Sequence, residues 1–518
     1  DADPNTVRDA DPNTVRDPDT NPVRVGDALP DTKPDRYEGR RGAAYSPSIA
    51  IAVAVAVAVA VELGRDLDAH ADPFLERTSV TPAPGPERAL AGACILICAG
   101  MLVMGWALKS QCLEPWDGRQ YARLCYNDIQ ALYGARGVDE SVFPYVHGAL
   151  DGGELTGGAI EYPVLTGLLM WATGLIASDA DTYLVVSAIV LAPFAVVASY
   201  LLARLARWRA LMWAGAPALA LYAFHNWDLA AVAAAVAGFW AWHRGRPGWA
   251  GALFGVGAAF KLYPLLFLAP LLLEVYTARG AASAGPQDKN GAASVGERLR
   301  AAAVPLAACA VVLAAANLPF IVAGPQGWLA TWRFHAARGP DFNSIWLWAA
   351  PTLETTRLNL LTGGLSVLSF GVAIIFGGRR ARAEGAFPFI QVSAAMLAAF
   401  LLLGKVHSPQ YALWILPFFV LLKVSPLWWA AYAAADALLY AGIFRWFYDV
   451  AYRGLDSTIA KQALLAGLWG RAALLTALAV IFSRSTLAVT RRHTPMAAKT
   501  WPLSHPSPRV TSGSSVGA

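Results

Sequence analysis

Charged side chains are scarce in this sequence: only 15% of its 518 residues are Asp, Glu, Lys or Arg. Soluble domains carry roughly 25%, so an ordinary soluble globular class is excluded. Cysteine is also sparse, with five in the chain, and no Cys/His spacing suits zinc. No Gly-rich loop of the kind that cradles phosphate is present. No RNA- or DNA-binding motif accompanies the net charge of +5, so a nucleic-acid partner is not expected. No cleavable signal-peptide pattern is evident near Asp1.

What is abundant is apolar sequence. Hydrophobic residues make up 56% of the chain and the mean hydropathy is +0.43. A membrane span needs about 20 mostly apolar residues, and such stretches recur from Leu90 to Ile481. Twelve spans are expected, near 89–108, 182–203, 210–225, 228–243, 249–263, 263–277, 301–322, 357–377, 386–404, 411–424, 426–445 and 461–483. The fold class is therefore an all-α polytopic membrane protein.

Residues 1–64 form a separate, low-complexity extension. Asp1–Arg8 reads DADPNTVR, Asp9–Arg16 repeats it, and Asp17–Arg24 is a degraded copy; so polar and Pro-rich a segment is expected to stay disordered. Ser48–Val61, an Ala/Val alternation, is short for a span and reads as a cytoplasmic or interfacial segment. Residues 65–88 read as a cytoplasmic linker, 89–485 as the membrane domain and 486–518 as a disordered cytoplasmic tail.

The basic residues set the orientation. Arg204, Arg207 and Arg209 follow the second span, and Arg244 and Arg246 the fourth. Arg279, Lys289, Arg298 and Arg300 follow the sixth, Arg379, Arg380 and Arg382 the eighth, and Arg491 and Arg492 the twelfth. All fall on one side if both termini are cytoplasmic. This parity requires that Glu161–Ala177 does not cross, so that segment is expected to lie along or dip into the outer leaflet. The first external loop is then long, 109–181, and long loops in compact bundles tend to carry function.

That loop mixes carboxylates (Glu114, Asp117, Asp128, Asp139, Glu140, Asp151, Glu154, Glu161) with aromatics including Trp116, Tyr121, Tyr126, Tyr145 and Tyr162. Carboxylates that accept hydroxyl protons beside rings that stack on sugar faces suit carbohydrate. Cys112 and Cys125 share this oxidising side, where a disulfide is expected. Further polar groups fall at the same membrane face: Asp228 in His225-Asn226-Trp227-Asp228, Lys261, then Arg333 and His335, then Lys405, His407 and Gln410. Asp228 is expected to face a watery interior, since a carboxylate against lipid costs about 2.5–3.5 kcal/mol. Lys or Arg can neutralise a phosphate leaving group, and a carboxylate can deprotonate an attacking hydroxyl. The acidic pair Asp179 and Asp181 is a minor possibility for Mg²⁺ or Mn²⁺; no cofactor is otherwise expected.

Four motifs carry a resemblance. Cys125-Tyr126-Asn127-Asp128-Ile129, Glu161-Tyr162-Pro163-Val164-Leu165-Thr166-Gly167, Asn226-Trp227-Asp228 and Lys261-Leu262-Tyr263-Pro264 resemble glycosyltransferase family 87, within the GT-C superfamily. That family includes actinobacterial polyprenol-phosphate-mannose-dependent α-mannosyltransferases, and the resemblance spans roughly 89–485. It implies a GT-C bundle that moves a hexose, mannose in those members, from a polyprenyl phosphate to a glycan or glycolipid acceptor outside the plasma membrane. It implies that Asp128 is the general base of a single inverting displacement, that Glu161 and Tyr162 line the cavity, and that Lys261, Arg333, His335, Lys405 and His407 are candidates for the phosphate side. A transporter or flippase of lipid-linked sugars is the rival reading. It would be favoured by two related halves and helices broken at mid-membrane, and no internal repeat relates 89–277 to 301–483.

Overall fold

A computed structural model of the chain describes residues 85–113, 116–282 and 293–489. The N-terminal repeats, Ser48–Val61, Glu114, Lys289, Arg491, Arg492 and the expected tail beyond 489 lie outside the described residues, as does the linker up to 84.

The chain is mostly helical, and each helix begins or ends where the sequence supplies a reason. α1 (Gly85–Lys109) is an apolar run that gives way to the disulfide-bonded turn at Cys112. Two short helices follow in the first loop, α2 (Arg119–Ala122) and α3 (Asp128–Ala135), then a hairpin of β1 (Ala149–Asp151) and β2 (Glu154–Thr156). Its strands pair antiparallel with Asp151 opposite Glu154, across Gly152 and Gly153 at positive φ, as a tight two-residue hairpin turn requires. α4 (Val164–Gly174) is an 11-residue helix, far shorter than the roughly 20 residues a span needs. α5 (Ala180–Ala206) starts where the Asp179 side chain accepts the Thr182 N–H at 2.7 Å.

The expected span over 210–225 is not one helix. It is split into α6 (Leu211–Ala214) and α7 (Pro217–Tyr222), because Pro217 cannot continue a helix and starts a new one at its first position. α8 (Asp228–His243) and α9 (Pro247–Phe260) follow, then a 3₁₀ turn over Tyr263–Phe267 that leads into α10 (Leu268–Ala282). α11 (Val295–Ala323) opens with a capping box between Ser294 and Glu297, which satisfies two otherwise orphaned backbone donors. α12 (Pro325–Ala337) and the short α13 (Ile345–Ala349) form the next external segment. The remaining helices are α14 (Thr355–Glu384), α15 (Phe389–Leu403), α16 (Ala412–Leu421), α17 (Pro426–Arg453) and α18 (Ile459–Arg484).

Among the described residues, six helical runs are long and apolar enough to cross a membrane: Arg88–Cys112, Ala180–Ala214, Val295–Ala323, Thr355–Glu384, Pro426–Arg453 and Ile459–Arg484. The other expected spans fall on helices of 16 residues or fewer, such as α8 and α9. Packing explains the difference. All ten residues of α16 are buried, as is nearly all of α8, and a helix that is apolar on every face belongs inside a bundle. α11 and α14 instead expose large apolar residues, among them Val311, Leu318 and Val322 on one and Leu360, Val367 and Leu368 on the other. Exposed apolar surface on that scale marks a membrane face. The chain is a multi-pass membrane protein.

α17 and α18 pack as close antiparallel neighbours. A Cβ at Gly442 would meet the backbone of Ala463 and Leu464, and one at Gly467 would meet the backbone of Leu439. Gly467→Leu should therefore overpack the pair, costing about 1–3 kcal/mol and lowering the thermal midpoint in detergent by several degrees. Gly371→Leu is the control, because nothing lies within 4 Å of that position; a thermal scan showing equal loss in both would contradict this packing.

Candidate active site

The site is built on the turn between α7 and α8. Asn226 uses its whole amide there. Its NH2 donates to Asp128 Oδ2 at 2.7 Å and to the Tyr162 hydroxyl at 2.7 Å. Its carbonyl accepts from Lys261 Nζ at 3.1 Å and from the Trp227 N–H at 2.7 Å. Three segments that are distant in sequence, around Asp128, Tyr162 and Lys261, therefore meet on one side chain.

Asp128 reaches that position through local chemistry. Asn127 is extended at φ −150°, and its side chain accepts the Gln130 N–H at 2.8 Å. That cap starts α3 with Asp128 as its first residue, where a carboxylate is favoured by the helix dipole. The Asp128 N–H donates to His225 O at 2.8 Å, which ties α3 directly to the α7–α8 turn. The Cys112–Cys125 disulfide is formed, with Cα atoms 5.6 Å apart, and it closes the chain just ahead of this cap. Gln130 in turn donates to Cys112 O at 3.0 Å and to Asp181 Oδ1 at 2.8 Å.

The Asp128 carboxyl is pushed up to about 6. Burial is the main cause, and hydrogen bonding from Asn226 and the charge of Lys261 oppose it. A carboxyl so placed is mostly ionised at neutral pH yet is a far better base than an exposed aspartate.

Asp228 differs from the expectation of a watery interior. It is fully buried, and protein groups meet it instead of water. Trp414 Nε1 donates to Oδ1 at 2.7 Å, and Lys261 Nζ lies 3.4 Å from Oδ2 as an ion pair. Lys261 also sits 3.8 Å from the centroid of the Tyr162 ring, a cation–π contact. Lys261 ends α9 in extended backbone, and Pro264 two residues beyond Leu262 prevents the helix from resuming at once.

Glu161, next to Tyr162, is gripped by Arg136 at 2.6 and 3.1 Å through both carboxylate oxygens. Burial raises its carboxyl, but the Arg136 charge and hydrogen bonds outweigh that and hold it below the usual range. The ring of His335 contacts Glu161 O at 2.6 Å, and Thr331 donates to Ile160 O at 2.6 Å. Both come from one face of α12, four residues apart.

Arg333 is the correction on that helix. Two residues from each of these, it projects from the opposite side and is exposed, so the structure does not bring it to the cluster. Arg338 takes its place. It is half-buried, lies 3.8 Å from Asp341, and bears electrostatically on both Glu161 and His335. Lys405 lies beside it, donating to Arg338 O at 2.6 Å while its own carbonyl accepts the Asp341 N–H at 2.9 Å.

Gln410 and His407 join from the other flank. Tyr411 stacks on Trp414 at 3.7 Å, and Trp414 stacks on Tyr263 at 4.2 Å, so the segment is wedged against the Asp228 partner. His407 uses Nδ1 on Leu401 O at 2.9 Å, while His407 Nε2 and Gln410 Oε1 are buried without a hydrogen-bond partner. Buried polar atoms are nearly always satisfied, so these two are positioned for a polar ligand or water. Asp179 and Asp181 are engaged separately, by the α5 cap and by Gln130.

Arg136 and Trp414 carried no signal in the sequence, whereas Asn226 stood inside the Asn226-Trp227-Asp228 motif and Arg338 among the polar groups of the third outer loop.

Residues 160–404 match the sequence model of glycosyltransferase family 87. Over that stretch the chain belongs to glycosyltransferase family 87. The protein is thus a membrane glycosyltransferase, and a GT-C bundle is consistent with its fold. The match is narrower than the 89–485 expected from motifs alone. Tyr162, Asn226, Asp228, Lys261, His335 and Arg338 fall inside the family 87 core, whereas Asp128 and the disulfide precede it. No curated protein and no solved structure matches the chain.

The Arg136–Glu161 pair yields a stability test. Removing one partner of a buried pair leaves an uncompensated charge and costs about 3–5 kcal/mol. Arg136→Met should therefore lower the thermal midpoint clearly at pH 7, and the double variant Arg136→Met/Glu161→Gln should regain most of the loss. Because the Glu161 carboxyl is depressed, the pair stabilises above the ordinary carboxylate range and fades as acid protonates it. The single variant's deficit should accordingly shrink below pH 4; a deficit independent of pH would contradict the ion pair.

Proposed function

We propose that this family 87 enzyme transfers a hexose, with mannose the first choice, from a polyprenyl-phosphate donor to a hydroxyl of an extracytoplasmic glycan or glycolipid. The observation that carries the reading is the Asp128 carboxylate, part-buried and held through Asn226 against Tyr162 and Lys261 of the family core.

Asp128 is the general base. It takes the proton of the acceptor hydroxyl as that oxygen attacks the anomeric carbon. The bond from that carbon to the phosphate oxygen breaks, polyprenyl phosphate leaves, and the anomeric centre inverts. One displacement needs one base, and the cluster around Asn226 supplies one half-open carboxylate, since Asp228 is sealed and Glu161 is bound by Arg136. Arg338, Lys405 and His335 are assigned to the phosphate, and the buried, unpartnered His407 Nε2 and Gln410 Oε1 to the donor's polar groups. The chemistry proposed requires no cofactor.

The topology belongs to the same proposal: twelve spans in the plasma membrane, both termini cytoplasmic and the first loop outside, with the short buried helices crossing inside the ring of long ones. The positive-inside distribution supports this orientation, as does a disulfide in that loop.

Purified protein in lipid, given polyprenyl-phosphate mannose and a mannoside acceptor, should release polyprenyl phosphate. Asp128→Asn is nearly isosteric and should lower turnover by a factor of about 10²–10⁴ without loss of folded protein. The base must be ionised, so kcat/KM for the wild type should fall as pH drops through about 6. Unchanged turnover in Asp128→Asn would remove it from the mechanism. For topology, Asp151→Cys lies in the exposed hairpin and should react with an impermeant maleimide on intact cells; reaction only after lysis would reverse the orientation.

A further inference from the structure

Lys109 is the last residue of α1 and is completely buried, and nothing in the proposed displacement uses it. Its ammonium makes three contacts: Tyr126 O at 2.6 Å, the Tyr440 hydroxyl at 2.8 Å and His225 Nδ1 at 3.2 Å. The donors and acceptors in this set can be assigned one by one. Tyr440 gives its own proton to Leu124 O at 2.7 Å, so its oxygen is free to accept from Lys109. Tyr126 O can only accept. An ammonium has three N–H bonds and no acceptor, so the third must go to His225 Nδ1, which places the ring proton of a neutral His225 on Nε2. A charged Lys109 beside a neutral His225 satisfies every atom of the set.

The groups it holds are those that present Asp128. Leu124 and Tyr126 lead into the α3 cap, and Leu124 sits at φ 60°, a conformation that is uncommon outside glycine and needs external support. His225 is the residue whose carbonyl receives the Asp128 N–H, and it precedes Asn226, which holds the carboxylate. Lys109 thus joins both walls of the Asp128 seat to the end of α1 and to α17.

We propose that Lys109 is the positioning residue of the general base, fixing the Asp128 backbone between the 124–127 segment and the 225–226 turn and supplying buried positive charge behind the carboxylate. This rests on the reading of Asp128 as the base.

The other groups facing that carboxylate are Asn226, Lys261, Glu161 and Tyr126, with Tyr162, Tyr440 and Asp228 beyond them. Only Lys109 and Lys261 among these are cations, and Lys261 is shared with Asp228. Loss of the Lys109 charge should favour protonated Asp128, so its ionisation should move to higher pH, by about one unit. Loss of the anchor should lower kcat by roughly tenfold or more, with KM little changed, because misplacing a catalytic group acts on the chemical step.

The test compares wild type, Lys109→Met and Tyr440→Phe, with Asp128→Asn as reference. Infrared spectroscopy of the protonated carboxyl band, identified by its loss in Asp128→Asn, follows Asp128 directly without turnover. The band should grow in at higher pH in Lys109→Met, and the acid limb of kcat/KM should move with it. Tyr440→Phe keeps the ring and the Lys109 charge while removing one anchor, so it should lower kcat with the limb unmoved. A Lys109→Met protein whose carboxyl titration and kcat per folded molecule match the wild type overturns the proposal. If Lys109→Met does not fold, Tyr440→Phe decides: a fall in kcat at constant KM supports the role, and wild-type kcat overturns it. Absence of sugar transfer by the wild type would sink the functional reading separately, because the infrared titration still reports whether Lys109 acts on Asp128.

Discussion

One carboxamide holds the site together. Asn226 faces an anion and a hydroxyl with its NH2 and a cation and an amide N–H with its oxygen. The amide could not be reversed, since its nitrogen would then face the Lys261 ammonium and its oxygen the Asp128 carboxylate, two repulsive contacts in place of two attractive ones. Its orientation is therefore set by charge, and it fixes in turn which oxygen of Asp128 it holds. Aspartate at this position would place three carboxylates together beside one lysine.

The rigidity of that amide comes from its place in the bundle. It lies in the turn between α7 and α8, and α8 is buried along nearly its whole length. The turn cannot drift without moving the middle of the protein. Tryptophan on both sides reinforces it: Trp227 is fully buried beside it, and Trp414 is clamped between two tyrosine rings while it holds Asp228. The proposed base comes from a segment outside the family-matched stretch and is joined to the matched core by this one residue, by the His225 carbonyl and by Lys109. A loop fastened at three points to a buried helix end behaves as part of the core.

The sequence made membrane helices legible because apolar runs need no tertiary information to be recognised. Exact helix starts were not legible: apolar runs placed them at 182, 301 and 461, whereas side-chain caps at Asp179, Ser294 and Thr458 begin the helices two to six residues earlier. The break within 210–225 was not foreseen, although Pro217 marked it, because hydropathy averaged over a window ignores a missing N–H. Asp228 and Lys261 were legible because charged residues at the ends of apolar helices stand out from their surroundings, whereas Asp128 and Tyr162 were singled out by the family resemblance. Arg136 and Lys109 were not legible: each is an ordinary basic residue near a helix end, where snorkelling is the usual explanation, and only the fold shows that they are turned inward. Arg333 failed for the converse reason, since the face a side chain takes on α12 depends on where that helix docks.

The charge balance of the cluster argues for which substrate it can accept. Asp128, Asp228 and Glu161 are each near a buried or half-buried cation: Lys109, Lys261 and Arg136 respectively. These three pairs sum to no net charge, so they neither attract nor repel an anion strongly. Arg338 is offset by Asp341 at 3.8 Å, and Lys405, whose ammonium rests only on carbonyl oxygens, leaves one positive charge in excess on that side. A sugar phosphodiester carries one negative charge, and in the proposed displacement its phosphate acquires a second as Asp128 loses its own by taking the acceptor's proton. Negative charge thus moves from the Asn226 side to the Arg338–Lys405 side during the reaction. Cations fixed on the receiving side stabilise the transition state more than the bound donor, and that difference lowers the barrier.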